Sequence, residues 1–166
     1  MEAMRRELRE KMERMRRQVV VYLTCDEMRA RKIQSEGITV TCGDLLMVPD
    51  SAFFEERNKC AFAWLSLEQA KRSQFGPVIF EVRINPEDAY VADLAAACDM
   101  FIVCNNVISH PEWHLESRCS TLVNSYRKSM QRLSEYLGIG RIKAEEVEVI
   151  LTRSIQPQDI TFAARR

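Results

Sequence analysis

Residues 77–88 read "PVIFEVRINPED", and this stretch limits the fold more than any other. Val78, Phe80, Val82 and Ile84 alternate with Glu81 and Arg83. Successive side chains of a strand point to opposite faces, so the spacing predicts a β-strand with one apolar and one polar face. Asn85-Pro86-Glu87-Asp88 is the turn that ends it. Such a strand requires partners in a sheet and an apolar layer beneath it.

Other segments supply both. "VVVYLT" (Val19–Thr24) is β-branched and aromatic, so a buried strand is expected. Asp26 stands where an N-cap would precede "EMRARKIQSEG", with Met28, Ala30 and Ile33 turned inward and Gly37 as the stop. Ile38–Asp50 is ambiguous between strand and loop. "CAFAWLS" (Cys60–Ser66) reads as a second strand and "LEQAKRS" as a short helix ending near Gly76-Pro77. Residues 89–114 resist assignment, and "MFIVC" (Met100–Cys104) fits a strand or a helix. Leu115, Cys119, Leu122, Tyr126, Met130, Leu133 and Leu137 then predict one long helix closed by Gly138 and Gly140. "AEEVEVILTRSIQPQDITF" (Ala144–Phe162) holds the last two strands. No repeat and no low-complexity linker divides the chain, so a single α+β domain over 19–166 is expected. The 166 residues suffice for a real core.

Residues 1–18 stand apart. Met1, Met4, Leu8, Met12 and Met15 form a narrow apolar stripe on a charged helix with seven basic and four acidic residues. Such a helix docks on the body, pairs with another copy, or lies along an acidic surface. Nucleic-acid contact would use Arg5, Arg6, Arg9, Arg16 and Arg17. The whole chain balances 24 basic against 24 acidic residues, so net charge points to no partner. No apolar run approaches the roughly 18 residues of a membrane span, and no signal-peptide pattern opens the sequence. A cytoplasmic setting is therefore expected. The six cysteines (Cys25, Cys42, Cys60, Cys98, Cys104, Cys119) lack any CxxC pair, so reduced and mostly buried thiols are expected.

Several chemistries lack their motifs. There is no GxGxxG, no GxxxxGK[ST] and no GxSxG, which disfavours Rossmann dehydrogenases, P-loop NTPases and α/β-hydrolases. His110 and His114 in "HPEWH" are four residues apart, but Pro111 intervenes and the glutamate has the wrong offset for a zinc HExxH site. The simpler reading is that Pro111 starts a helix with His110 near its cap.

The order of the remaining parts resembles the ADP-ribosyltransferase superfamily, from about Val19 to Ile160. The pieces are "YLT" closing a first strand, a helix ending in "SEGI", "WLS" followed by "LEQA", "PVIFEVRI" leading into "PEDAYVADL", and "EVILTRSIQPQDI". DNA-targeting DarT-type toxins and RNA 2′-phosphotransferases are the nearest comparisons, although the paired basic residues of the latter are not found here. The resemblance implies two small β-sheets enclosing a cleft, flanking helices, and NAD+ as co-substrate. ADP-ribose would be transferred to a macromolecule, DNA or protein.

By that likeness Thr24 matches the threonine of an H-x-T motif, Ser66 the serine of the second strand and Glu148 the family glutamate. The first-strand His or Arg would fall at Tyr22 or Leu23, which departs from the pattern. Glu146 completes an E-x-E pair, expected on one face of the strand with Glu148. In this reading Glu148 stabilises an oxocarbenium-like state and Glu146 takes the nucleophile's proton. Arg57, or Arg29 or Arg31, would hold the pyrophosphate. Two readings compete. In one, Glu145, Glu146 and Glu148 line a solvated strand end beside Arg141 and Lys143; in the other, the fold serves as a non-enzymatic nucleotide- or nucleic-acid-binding module.

Overall fold

The computed structural model describes residues 1–138 and 146–166, with 14–16 described by their backbone alone. Expectations on Gly140, Arg141, Lys143, Glu145 and the side chains of Met15 and Arg16 lie outside the described residues. The architecture is α+β, with seven α-helices among the described residues and two small antiparallel sheets.

The first sheet is ordered β1 (Val19–Cys25), β3 (Val78–Ile84), β7 (Ile160–Arg165). The second is ordered β2 (Ala61–Ala63), β6 (Val147–Leu151), β4 (Ala89–Asp93), β5 (Gln131–Arg132). One bridge joins them: Tyr22 and Trp64 exchange both backbone hydrogen bonds, at 2.9 and 2.7 Å. The pairing of β3 with β7 is interrupted by a bulge, because Ile79 faces Ala164 while Phe80 faces Phe162.

Two cores follow from strand alternation. Val21, Leu23, Phe80 and Val82 of the first sheet join Ala63, Val91, Val149 and Leu151 of the second in one buried cluster. Over this span, packed apolar side chains stand where a cleft between the sheets was expected. The outer face of the second sheet, through Ala92 and Ile150, meets a helical layer. That layer is made of Phe53 from α3 (Asp50–Arg57), Met100 and Cys104 from α5 (Leu94–Ser109), and Val123 and Tyr126 from α6 (Glu116–Ser129). Strand β6 serves both cores, and all five of its residues are buried.

Local expectations hold where the signal is local. Asp26 caps α2 (Glu27–Glu36) by accepting from Arg29 N at 2.7 Å, and Gly37 ends that helix. Met28 is 84% exposed, however, and only Ala30 and Ile33 of the expected inward set are buried. "LEQAKR" forms α4 (Leu67–Arg72), and "MFIVC" lies within α5. Pro111 does start a helix with His110 at its N-cap, a short 3₁₀ helix over Pro111–Trp113, and His110 stacks on Trp113 at 3.9 Å.

The single long helix expected from Leu115 to Leu137 is two, α6 and α7 (Leu133–Gly138), separated by β5. The reason lies in the packing. Tyr126 belongs to the outer core and Leu133 to the inner one, and one straight helix cannot serve both. Ser129 secures the break by accepting from Asp93 N at 3.0 Å and donating to Tyr126 O at 2.7 Å. The expectation of reduced thiols also needs correction at one pair. Cys104 and Cys119 form a disulfide between α5 and α6, with Cα atoms 5.1 Å apart. Cys25, Cys42, Cys60 and Cys98 remain free.

The chain after α2 is held by a second isolated bridge, Ile38 with Ile155. Gly37 permits it, with φ 81° and so little room that a Cβ there would lie 2.1 Å from the Ile155 carbonyl oxygen. Gly37→Ala should therefore destabilise the fold by at least about 1–3 kcal/mol, read as a lowered urea midpoint. Gly138→Ala, with open space around it, should change little or stabilise slightly.

Candidate functional site

Glu148 is a carboxylate in the middle of a buried strand. Its neighbours Val147 and Val149 face the inner core, so alternation sends Glu148 to the helical side. It is 6% exposed. An ionised carboxylate in such a place requires a partner, and two are provided. Arg57 Nη2 donates to Glu148 Oε1 at 2.6 Å, and the Tyr126 hydroxyl donates to the same oxygen at 2.5 Å. Arg57 Nε also donates to the Tyr126 oxygen at 3.0 Å, closing the triangle. Arg57 is the last residue of α3, and its guanidinium lies 4.2 Å from the centroid of Phe62 and 5.0 Å from that of Tyr126.

Burial opposes the Arg57 charge, but Tyr126 and Glu148 more than offset it, and its pKa lies above the ordinary arginine value. Burial, then the Glu148 charge, raises the Tyr126 phenol well above the usual tyrosine range. Cys98, on the N-terminal half of α5, has its thiol pKa raised by burial first and then by the Glu148 charge.

Glu146 lives in a different place. It precedes the first residue of β6, and its side chain is 43% exposed. Arg72 Nη2, at the last residue of α4, donates to it at 3.1 Å. Its backbone carbonyl accepts from Leu94 N at 3.1 Å. Ser66 caps the same α4 helix, accepting from Gln69 N at 3.2 Å. Beside it the Trp64 ring stacks on Phe75 at 6.2 Å, and Phe75 is 70% exposed.

Tyr22, Thr24, Trp64 and Glu148 share one face. Ala63 pairs with Val149 on the inner face, so Trp64 and Glu148 turn to the outer one. Tyr22 pairs with Trp64, and Thr24 follows two residues later. The structure thus gathers Arg57 and Glu148 in one buried ion pair, and Ser66 and Glu146 around α4. Arg29 and Arg31 are both exposed on α2.

Tyr126 and Arg72 were not legible as site residues. Tyr126 falls in a helical apolar stripe, where nothing separates a core aromatic from a hydrogen-bond donor. Two cavities, of about 210 and 380 Å³, lie toward the other end of β6 around Asp88 and Arg153. Neither is lined by Tyr22, Thr24, Arg57, Ser66, Glu146 or Glu148. Among the described residues no group of three His, Cys, Asp or Glu side chains is arranged to hold a metal.

Arg57→Met should cost about 3–5 kcal/mol of stability, because it strands the Glu148 charge. Combining it with Glu148→Leu should recover much of that loss, seen in denaturant melts as strong non-additivity. The raised Tyr126 pKa sets a sign for pH dependence. Unfolded tyrosine releases its proton near pH 10, whereas the folded one resists, so this contribution is full below about pH 10 and falls as pH rises beyond it. Tyr126→Phe should flatten the alkaline decline in melting temperature. Against known proteins, no family model, no curated protein and no solved structure matches this chain.

Proposed function

We propose that the chain is an NAD+-dependent ADP-ribosyltransferase acting on a macromolecular nucleophile of DNA or protein. The observation that carries the reading is the side-by-side placement of β1, β2 and β6. These strands bear the "YLT", "WLS" and acid-led motifs, and Tyr22, Trp64 and Glu148 share their outer face.

In this reading the two acids divide the work by exposure. Glu146, half in water on the rim, is the catalytic carboxylate within reach of a substrate. It orients the ribose hydroxyls and takes the proton of the incoming nucleophile. Nicotinamide leaves C1′ with the electron pair of the N-glycosidic bond, and the nucleophile's lone pair closes the new bond. Arg72 supplies a cationic fork for phosphate oxygens, and Trp64 with Phe75 offers an aromatic platform for a base or the nicotinamide ring. Glu148 is a positioning residue that, bonded to Arg57 and Tyr126, ties β6 to the helices behind the rim.

A second reading rests on a specific observation. Glu148 is enclosed by Arg57 and Tyr126, and neither described cavity adjoins it. A binding module on the same framework would need no more than this.

The experiment uses NAD+ labelled in the adenylate moiety, with DNA or cell lysate as acceptor. Wild type should label an acceptor, and millimolar NAD+ should raise its melting temperature. Glu146→Gln should lose labelling by on the order of a hundredfold at unchanged melting temperature, because the side chain is exposed. Glu148→Gln should lower the melting temperature as well. A thermal shift without labelling favours the binding module, and neither shift nor labelling ends both NAD+ readings.

A further inference from the structure

Outside that site the molecule leaves two things unused, the exposed helix α1 (Glu2–Arg17) and the free thiols Cys25, Cys42, Cys60 and Cys98. Two of these thiols, Cys42 and Cys60, are distant in sequence and lie together.

Three observations place them side by side. The first is register. Ala61 pairs with Leu151 and Phe62 with Ile150, so one step further along the ladder Cys60 stands opposite Thr152. The Cys42 thiol lies 4.0 Å from the Thr152 carbonyl oxygen, so both cysteines meet the same residue where the chain leaves β6. The second is the backbone around them. Thr41 N donates to Lys59 O at 3.3 Å, and Gly43 N donates to Glu56 Oε1 at 2.7 Å. The residues on either side of Cys42 are therefore tied to the segment that ends at Cys60. The third is facing. Alternation on β2 puts Ala61 and Ala63 in the inner core, while Phe62 and Cys60 pack against the outer one. Cys42 packs against that same outer core, and the two thiols share a hydrogen bond.

Their surroundings divide their roles. Cys42 lines the cavity of about 380 Å³ beside Thr152 and Arg153, and Cys60 does not. Burial, then the hydrogen bond and charge of Cys42, push the Cys60 thiol well above the ordinary cysteine pKa. A thiol that gives up its proton so reluctantly is a poor first attacker, because the thiolate is the nucleophile. A reagent in the cavity therefore meets Cys42 first. Once the Cys42 sulfur is bound to a second sulfur it carries no charge, and burial is left as the main restraint on Cys60.

We propose that Cys42 and Cys60 form a second disulfide by exchange with a small-molecule disulfide that enters through the cavity. The Cys42 thiolate attacks one sulfur of R–S–S–R and forms a Cys42–S–S–R bond. The old S–S bond breaks, and its electron pair leaves on RS⁻, which is protonated to R–SH. Cys60 then loses its proton to water and attacks the Cys42 sulfur, expelling the second RS⁻, which is protonated in turn. Two protein thiols are oxidised and one small disulfide is reduced to two thiols. The new bond closes the loop that carries α3, and with it Arg57. Helix α6, which carries Tyr126, is already joined to α5 through Cys119. Both helices that reach Glu148 are then anchored covalently.

The probe is hydroxyethyl disulfide, small and uncharged, applied to the full chain carrying Cys98→Ser, which removes the exposed thiol. Maleimide labelling after denaturation should fall from three free thiols to one, Cys25, with no added hydroxyethylthio mass. Peptide mapping should recover Cys42 linked to Cys60. The treated chain should melt about 5 °C higher, because the cross-link restricts the unfolded loop. Adding Cys60→Ser should trap a mixed disulfide on Cys42. Adding Cys42→Ser instead should leave Cys60 reacting at least about tenfold more slowly. Three labels retained, a stable adduct on Cys42 while Cys60 is present, or linkage to another cysteine or another chain overturns the proposal. So does a melting temperature that treatment leaves unchanged or lowers, since the pair is then not built to close. Equal reaction in the two added variants overturns entry through Cys42. The readout involves no NAD+, so it stands or falls apart from the transferase reading.

Discussion

The ion pair between Arg57 and Glu148 is the interaction around which the outer half of the molecule is arranged. A charge taken out of water must be met by an opposite charge and by hydrogen bonds, and here both come from separate elements. Arg57 arrives from the end of α3, Tyr126 from α6, and Glu148 from the strand beneath them. The triangle can form only when all three elements are correctly placed. It also guards register. A slip of β6 by one residue would turn Glu148 into the inner core between the sheets, where Val149 and Leu151 now sit.

Two acids only two positions apart end in opposite circumstances because the strand begins between them. Glu148 follows β6's pleat into the helical layer, while Glu146 stands outside the ladder and reaches Arg72 on the surface. A shared face, expected from spacing alone, presumes that both residues are inside the strand. The ladder starts at Val147, so that spacing argument does not extend to Glu146.

Much of the framework could be read directly. Strand β3, the Asp26 cap, the Gly37 stop and the "WLS"–α4 junction are set by neighbours in sequence, and each appears in place. What failed depended on distant partners. The stripe from Leu115 to Leu137 is helical in period throughout, yet two cores compete for its ends and the competition breaks it. Helix α3 was missed because its short span carries only Phe53 and Arg57 inward. At the site, Arg57 and Glu148 were both named, but their pairing is a fact of three dimensions and no spacing in the chain announces it. The disulfide between Cys104 and Cys119 was missed for the same reason, since it depends on how α5 lies against α6.

The bulge in the pairing of β3 with β7 has a bearing on how this protein keeps to itself. β7 is the outermost strand of its sheet, and Phe162 on it is half exposed. A flat edge of that kind invites another chain to add a strand and begin an aggregate. The extra residue at Ala163 kinks the edge and spoils the regular row of donors and acceptors that an incoming strand would need. Arg165 reaches over the Phe162 ring and pairs with Glu27, and Arg166 bonds the carbonyls of Lys71, Ser73 and Gly76. The strand is therefore capped by charge at one end and bent in its middle, an edge built to refuse company.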